Sequence, residues 1–482
     1  MENKLLKTDF ITYALWLAAG FVCANFLPAP VLGLYFIFLS WKMVNIETDV
    51  IYIAVYLSIL SGIGGFFEGK LDNVFSIGTI EISVFIFFTL SLYIKLFLNH
   101  KKTTSINHFK TPIIIYLFYT LILLLLGVLN GIEEAGQSGY RHYYQILVLF
   151  ALLPVFLVIP KLFNGPHFIE RLSSIIFISV FINLAGQGFF LLKGVSVSEF
   201  IRPNLDTPYI LDELKYIEYL RPVYGVWLSL LAFCFSFYQL IKREKYFTES
   251  FLYLIIFFSF LSIFITATRG WILAIILFSA LAMLITHRFG KTIRIITIGT
   301  LLLLLLLNIS DSLKIQIEKS FERFLTLQSL LEGDLSAYGT SIRHIRGKEV
   351  MDHFSTSPVI GLGFSSEALN AVDQHVGNQD ILMSGGIIGY LVILYFIGAI
   401  ILKFIFAYIM NKKSNIYSPE LLIVPILFIS LFMIHSTSTA LFGYVVYAIA
   451  YGNMIWVAII IGIANRILKD NINISDALRN NY

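Results

Sequence analysis

Charge is what this chain has least of. Asp, Glu, Lys and Arg make up 13% of 482 residues, against 58% hydrophobic and a mean hydropathy of +0.82. Ordinary soluble domains carry about 25% charged residues, so a soluble globular fold is excluded. The net charge of +4 gives no reason to expect a nucleic-acid partner. Cysteine is equally scarce. Cys23 and Cys234 both sit in apolar stretches, supply neither a disulfide framework nor a ligand set, and read as packing residues. No DxD pair, Walker loop or Gly-x-Ser-x-Gly elbow occurs. Metal-dependent transfer, ATP hydrolysis and serine-hydrolase chemistry therefore lack support, and no cofactor or metal is expected.

What the chain has instead is long apolar runs. Stretches of roughly 17–25 residues recur along its length, as in helices that cross a bilayer. The repeated period-two alternation of a transmembrane barrel is missing. Dividing at charged and Pro/Gly-rich breaks gives about fourteen spans, near 10–28, 30–45, 49–67, 75–98, 111–129, 145–160, 170–193, 222–241, 249–267, 270–286, 293–309, 380–408, 419–437 and 440–465. The second is short and the ninth–tenth junction is tight, which keeps twelve or thirteen open. The expected fold is all-α: a polytopic transmembrane bundle of about 12–14 spans with a long, partly helical extracytoplasmic loop. Residues 1–309 would be an N-terminal transmembrane bundle, 310–379 the loop, and 380–482 the C-terminal transmembrane helices and tail. The first run is long and no small-residue cleavage site follows it, so it reads as an uncleaved helix.

The basic residues orient these spans. With the N-terminus in the cytoplasm, Lys4/Lys7, Lys101/Lys102/Lys110, Lys161/Arg171, Lys242/Arg243/Lys245, Arg288/Lys291/Arg294, Lys412/Lys413 and Arg466/Lys469 collect on one side. That asymmetry is the positive-inside pattern, and both termini are expected to be cytoplasmic. Arg202, Arg221, Arg269, Arg343 and Arg346 then lie outside, against the rule, and need another reason to be there. Arg269 interrupts Ile-Phe-Ile-Thr-Ala-Thr-Arg-Gly-Trp-Ile-Leu, where an arginine at mid-bilayer would cost roughly 2.5–3.5 kcal/mol. It marks a membrane surface between two helices. Two readings of these arginines stay open: they snorkel to head groups, or they grip phosphate bidentately, as guanidinium does at any relevant pH.

The outer loop is patterned. Residues 312–331 put Leu313, Ile317, Phe321, Phe324, Leu325 and Leu327 mostly on one face of an amphipathic helix. A second short helix is expected over 341–354, with Arg343 and Arg346 sharing a face. Pro358-Val-Ile-Gly361-Leu-Gly363 then reads as a glycine-marked turn, followed by a polar stretch to His375. Glu81 lies within the fourth apolar run and should point into the bundle. The hydroxyls of 436–439, after His435, should satisfy backbone or neighbouring helices.

Three of these segments together resemble the O-antigen ligase/O-antigen polymerase family of bacterial polytopic membrane glycosyltransferases. Thr268-Arg269-Gly270 is similar to that family's Ser-Arg-Gly at an outer helix end. Arg343 through Pro358-Val-Ile-Gly361-Leu-Gly363 is similar to its arginine, helix and glycine run. His375, Asn378, Gln379 and Gly386-Ile-Ile-Gly389 resemble the stretch that leaves the loop and opens the next helix. The chain departs from the pattern at Gly347, where tryptophan is usual, and at Val376, where asparagine is. The resemblance covers about 250–390.

It implies a metal-independent transferase at the outer face of a bacterial cytoplasmic membrane, taking glycan from an undecaprenyl-pyrophosphate-linked donor. A polymerase would move the chain to the next lipid-linked repeat unit, a lipid-linked glycan acceptor; a ligase would move finished glycan to another lipid. The bilayer and other polysaccharide-export proteins are the further partners expected. Arg269 and Arg343 would clamp the pyrophosphate, with Arg346 and Arg221 as further binding residues. His375 would be the base, since an imidazole near pKa 6.5 can take a hydroxyl proton at neutral pH; the bland alternative is an exposed loop histidine. The rival class is a flippase for lipid-linked oligosaccharide, which should show mid-membrane charge and repeated halves. No internal repeat is visible in the sequence.

Overall fold

The computed structural model describes residues 2–45, 50–59, 74–77, 80–82, 84–98, 107–129, 150, 153–163, 167–193, 225–242, 246–266, 268–286, 341–371, 376–414, 418–437, 440–444 and 448–479, with scattered positions over 290–325. Among the described residues it is helical except for one short hairpin. In order come α1 (Glu2–Phe26), α2 (Ala29–Asn45), α3 (Val50–Ser58), β1 (Phe75–Ile77), β2 (Ile80–Ile82), α4 (Val84–Leu98), α5 (Lys110–Leu129) and α6 (Leu153–Leu162). There follow α7 (Phe168–Lys193), α8 (Val226–Ile241), α9 (Glu249–Ile265), α10 (Arg269–Thr286), α11 (Ser341–Phe354), α12 (Ser366–Ala371), α13 (Gly377–Lys413), α14 (Ile423–Thr437, after a 3-10 turn) and α15 (Ala448–Arg479).

Four helical stretches, Lys110–Leu129, Phe168–Gly188, Gly377–Lys413 and Pro419–Thr437, are long and apolar enough to cross a membrane, and many shorter helices are equally apolar. The chain is a multi-pass membrane bundle. Phe118, Leu125 and Leu129 on α5, and Leu391, Leu402 and Phe406 on α13, are exposed apolar side chains of the kind a bilayer rather than water covers.

The expected fourth span differs from the structure at its start. Residues 75–82 pair as an antiparallel hairpin, with Phe75 opposite Ile82, Ser76 opposite Glu81 and Ile77 opposite Ile80. Hydropathy counts apolar content and ignores period, yet Phe-Ser-Ile and Ile-Glu-Ile alternate with period two around Gly78-Thr79, a Gly-x pair suited to a two-residue hairpin. Glu81 therefore stands on a strand and not within a helical span; its side chain lies outside the described residues.

Contacts divide the chain into two compact units, each discontinuous in sequence: Met1–Ile94 with Gly165–Leu325, and Lys95–Asn164 with Thr326–Tyr482. In the first unit α8 is buried along its whole length, as expected of a helix apolar all round. Its end is tied to the start of α7 by Lys242 Nζ and Glu170 Oε1, 3.1 Å apart. Nearby in sequence, Thr248 caps α9 by accepting from Phe251 N–H. At the opposite end of these helices Asn183 Nδ2 donates to Ser262 Oγ (3.2 Å), which Ser229 Oγ also reaches (3.0 Å).

That triad forms a polar seam between α7, α8 and α9. Asn183, Gln187, Ser229, Ser236, Gln239, Ser259 and Ser262 are all buried. Both amide atoms of Gln187 and of Gln239, Asn183 Oδ1, and the hydroxyls of Ser236 and Ser259 have no hydrogen-bond partner. Such groups hold helices together only where they find one another, and Ser262 is the point at which three helices do.

In the second unit the start of α5 meets α15 and the latter half of α13. His108 N–H donates to Asn465 Oδ1 (2.8 Å), and Lys403 Nζ donates to the His108 carbonyl. Three basic connections expected on one side of the membrane thus gather at one end of this unit: those of Lys110, of Lys412/Lys413 and of Arg466/Lys469. The end of α5 and the start of α13 meet at the other. Ser262→Ala should leave Asn183 and Ser229 without their shared partner and destabilise the protein by about 0.5–2 kcal/mol. The check is the thermal unfolding midpoint in detergent, and an unchanged midpoint would show that the seam contributes nothing.

Candidate functional site

Arg269 is the first residue of α10 and is 7% exposed, so it is packed within protein and does not lie on the lipid surface. The junction that places it is tight. α9 ends at Ile265; the Thr266 N–H and hydroxyl both turn back to the Ile263 carbonyl (3.1 and 2.7 Å). Thr268 opens α10, its carbonyl accepting from Trp271 N–H and Ile272 N–H, while its hydroxyl contacts Thr266 Oγ1 at 2.9 Å. Trp271 is buried against Trp227 of α8, ring centroids 5.4 Å apart, and its indole N–H has no partner.

A guanidinium at a helix N-terminus stands at the positive end of the macrodipole, unfavourable by about 0.3–1 kcal/mol. Burial adds a desolvation penalty. Interactions within the protein offset part of that cost.

The second constellation is a glycine junction in the other unit. α13 breaks at Gly386, where φ is 62° and ψ is −169°, and the break frees backbone groups on both sides. The segment after α11 satisfies them. Leu362 N–H donates to the Met383 carbonyl and Gly363 N–H to that of Ser384, each at 2.9 Å. In return Ile387 N–H donates to the Pro358 carbonyl (2.9 Å) and Ile388 N–H to that of Val359 (3.1 Å). The carbonyls of Gly385 and Gly389 accept from the hydroxyls of Tyr119 (2.8 Å) and Tyr444 (2.6 Å).

Space is as tight as the hydrogen bonding. A Cβ at Gly361, itself at φ 72°, would strike Gly386 N and Ser384 O, and one at Gly386 would strike Val359 O. On α5, Gly127 packs against the Phe364 backbone, whose N–H donates to the Leu123 carbonyl (3.1 Å). Val350 of α11, Leu362, Ala368 of α12, Val376 and Met383 of α13 form one buried apolar cluster, which seats both short helices on the broken one.

The expected site residues fall as follows. Arg269 is buried in the first unit. The helix expected over 341–354 is α11, with those bounds, and positions 343 and 346 lie one turn apart on it. The side chains of Arg343 and Arg346 lie outside the described residues, as do Arg221 and His375 altogether. Of 312–331, Ile317 is buried while Phe321 and Leu325, on the same apolar stripe, are exposed. The two departures from the family pattern are neighbours: a Cβ at Gly347 would lie 3.8 Å from both Val376 Cγ1 and Gln379 Nε2.

Sequence reasoning passed over His435. It is fully buried, between Phe432 and Phe442, with Gly377 pressed against its ring. Its Nδ1 accepts from Leu441 N–H (3.1 Å) and Phe442 N–H (3.3 Å), which leaves the proton on Nε2, an atom without a partner. Beside it Asn378 Nδ2 donates to Ser436 Oγ (3.0 Å). Ser436 and Thr437 bond the Phe432 and Met433 carbonyls, as expected of hydroxyls at a helix end. A lone histidine closing an apolar run carries no sequence signal that separates packing from chemistry.

No protein-family model matches the chain, and no curated protein matches it.

The junction makes opposite predictions for two glycines. Gly386→Ala, which strains a positive φ and collides with backbone, should destabilise the protein by about 2 kcal/mol or more. Gly347→Ala, in an ordinary helical position with room for a methyl group, should stabilise it by about 0.5–1 kcal/mol. Paired thermal unfolding curves in detergent decide both, and equal midpoints for the two variants would contradict the close-packed junction.

Proposed function

We propose that this chain is a metal-independent glycosyltransferase of the O-antigen polymerase type, acting at the outer face of a bacterial cytoplasmic membrane with both termini inside. Its donor is undecaprenyl-pyrophosphate-linked glycan and its acceptor the next lipid-linked repeat unit. The observation that carries the reading is the burial of Arg269 at the start of α10. A cation held there by protein is placed to receive an anion, whereas a snorkelling arginine would reach outward. The glycine junction supports the same reading: segments that resemble the family's second and third motifs interlock through backbone hydrogen bonds.

In this reaction an acceptor hydroxyl oxygen attacks the anomeric carbon. The new glycosidic bond forms as the bond from that carbon to the pyrophosphate oxygen breaks. The hydroxyl proton passes to His375, and polyprenyl pyrophosphate leaves with the electron pair. The charge developing on its terminal phosphate falls to Arg269 and Arg343, with Arg346 and Arg221 holding the rest of the lipid pyrophosphate or glycan. Fixed guanidiniums suit a site poor in water, where preorganised charge is worth most.

The test is Arg269→Ala with membrane insertion confirmed. Loss of one such stabilising group should lower the transfer rate roughly 100–1,000-fold, leaving single lipid-linked repeat units on the outer face. Arg269→Lys, which keeps charge but not the bidentate fork, should recover only part of it. Full-length chains left unattached would point to the ligase instead, and units trapped on the inner face to a flippase. Unchanged glycan would remove all three.

A further inference from the structure

At the basic end of the second unit, away from the glycine junction, a groove of about 440 Å³ opens between the start of α5, the latter half of α13 and α15. Leu402, Phe406, Met410 and Leu468 give it apolar walls, and Lys403 and His108 stand within it. Lys403 donates to the His108 carbonyl, and its ammonium sits 5.5 Å from the Phe109 ring centroid. An ammonium has three donors, so that bond leaves two for a ligand.

The electrostatics are unbalanced. Neither Lys403 nor Lys469 has a carboxylate within ion-pair distance among the described residues, and Asp470, next along α15, is held by Arg466 Nε at 2.9 Å. Burial, together with Lys403 and Lys469, holds His108 below the ordinary histidine range. Lys403 thus lines the groove, and Lys469, next to the lining residue Leu468, lies near its His108 edge, with no carboxylate partner for either among the described residues.

We infer that this groove is a binding site for an anionic phospholipid, with the phosphate between Lys403 and Lys469 and the top of one acyl chain along Leu402, Phe406 and Met410. The charge selects the lipid class. A zwitterionic head group brings its own cation and leaves the two ammoniums unneutralised, whereas a net negative one neutralises them. The apolar walls select a lipid over a free anion, since a soluble phosphate would leave them bare. The volume is in the range of ordinary ligand pockets. This inference stands apart from the proposed transferase reaction.

The full chain, purified in detergent and stripped of lipid, would be titrated with dioleoyl phosphatidylglycerol, dioleoyl phosphatidylcholine and inorganic phosphate. Bound lipid is counted by native mass spectrometry and stabilisation read as the thermal midpoint. Phosphatidylglycerol should bind and raise the midpoint, and the other two should do neither. K403Q/K469Q should weaken phosphatidylglycerol binding roughly tenfold or more. Ala407→Trp, which fills the groove and leaves both cations, should weaken it too. Equal binding of phosphatidylcholine, stabilisation by inorganic phosphate alone, or full phosphatidylglycerol binding by either variant overturns the inference. Should the double variant fail to fold, the wild-type comparison and Ala407→Trp decide it.

Discussion

A helix broken within an apolar bundle exposes amide and carbonyl groups that lipid cannot satisfy. In this protein that constraint sits at Gly386, and the second unit is arranged around meeting it. The 358–363 segment supplies two donors and two acceptors, and Tyr119 and Tyr444 cover the next carbonyls. Gly361, Gly363 and Gly386, each with positive φ, let three stretches of backbone approach without Cβ atoms between them. Through the cluster of Val350, Leu362, Ala368, Val376 and Met383, the same junction fixes α11 and α12. The helix that bears Arg343 and Arg346 is therefore held on the junction by apolar packing through Val350.

The first unit solves a different problem, the housing of a cation. Its three central helices enclose a seam of neutral amides and hydroxyls, and the α9–α10 turn places Arg269 beyond its Ser262 end. Neutral dipoles and packing within the unit lower the cost of burying a guanidinium. The partnerless amide of Gln187 and indole N–H of Trp271 add uncommitted polar groups to the same unit.

Much of this was legible in the sequence because bilayers impose a simple rule. Apolar length gave α5 and α7, the break at Arg269 between α9 and α10, and α14, each within a few residues. The bounds of α11 could be read from a short stretch closed by Ser-Thr-Ser-Pro358. The hairpin was missed because total hydropathy hides period, although Phe-Ser-Ile and Ile-Glu-Ile carried it. The role of Gly386 was not legible. A glycine in an apolar run gives no sign of the distant segment that meets it, and here that segment lies more than twenty residues earlier. The polar seam was equally hidden, since single Ser, Asn and Gln residues on three helices become a feature only when packing aligns them.

The proposed reaction depends most on Arg269, the buried cation at the start of α10. Binding tests it most directly: wild type, Arg269→Ala and Arg269→Lys, each titrated with polyprenyl pyrophosphate in chelator. The account predicts that Arg269→Ala weakens binding clearly and that Arg269→Lys, which keeps charge but not the bidentate fork, recovers only part of it. Binding that ignores both changes would contradict it.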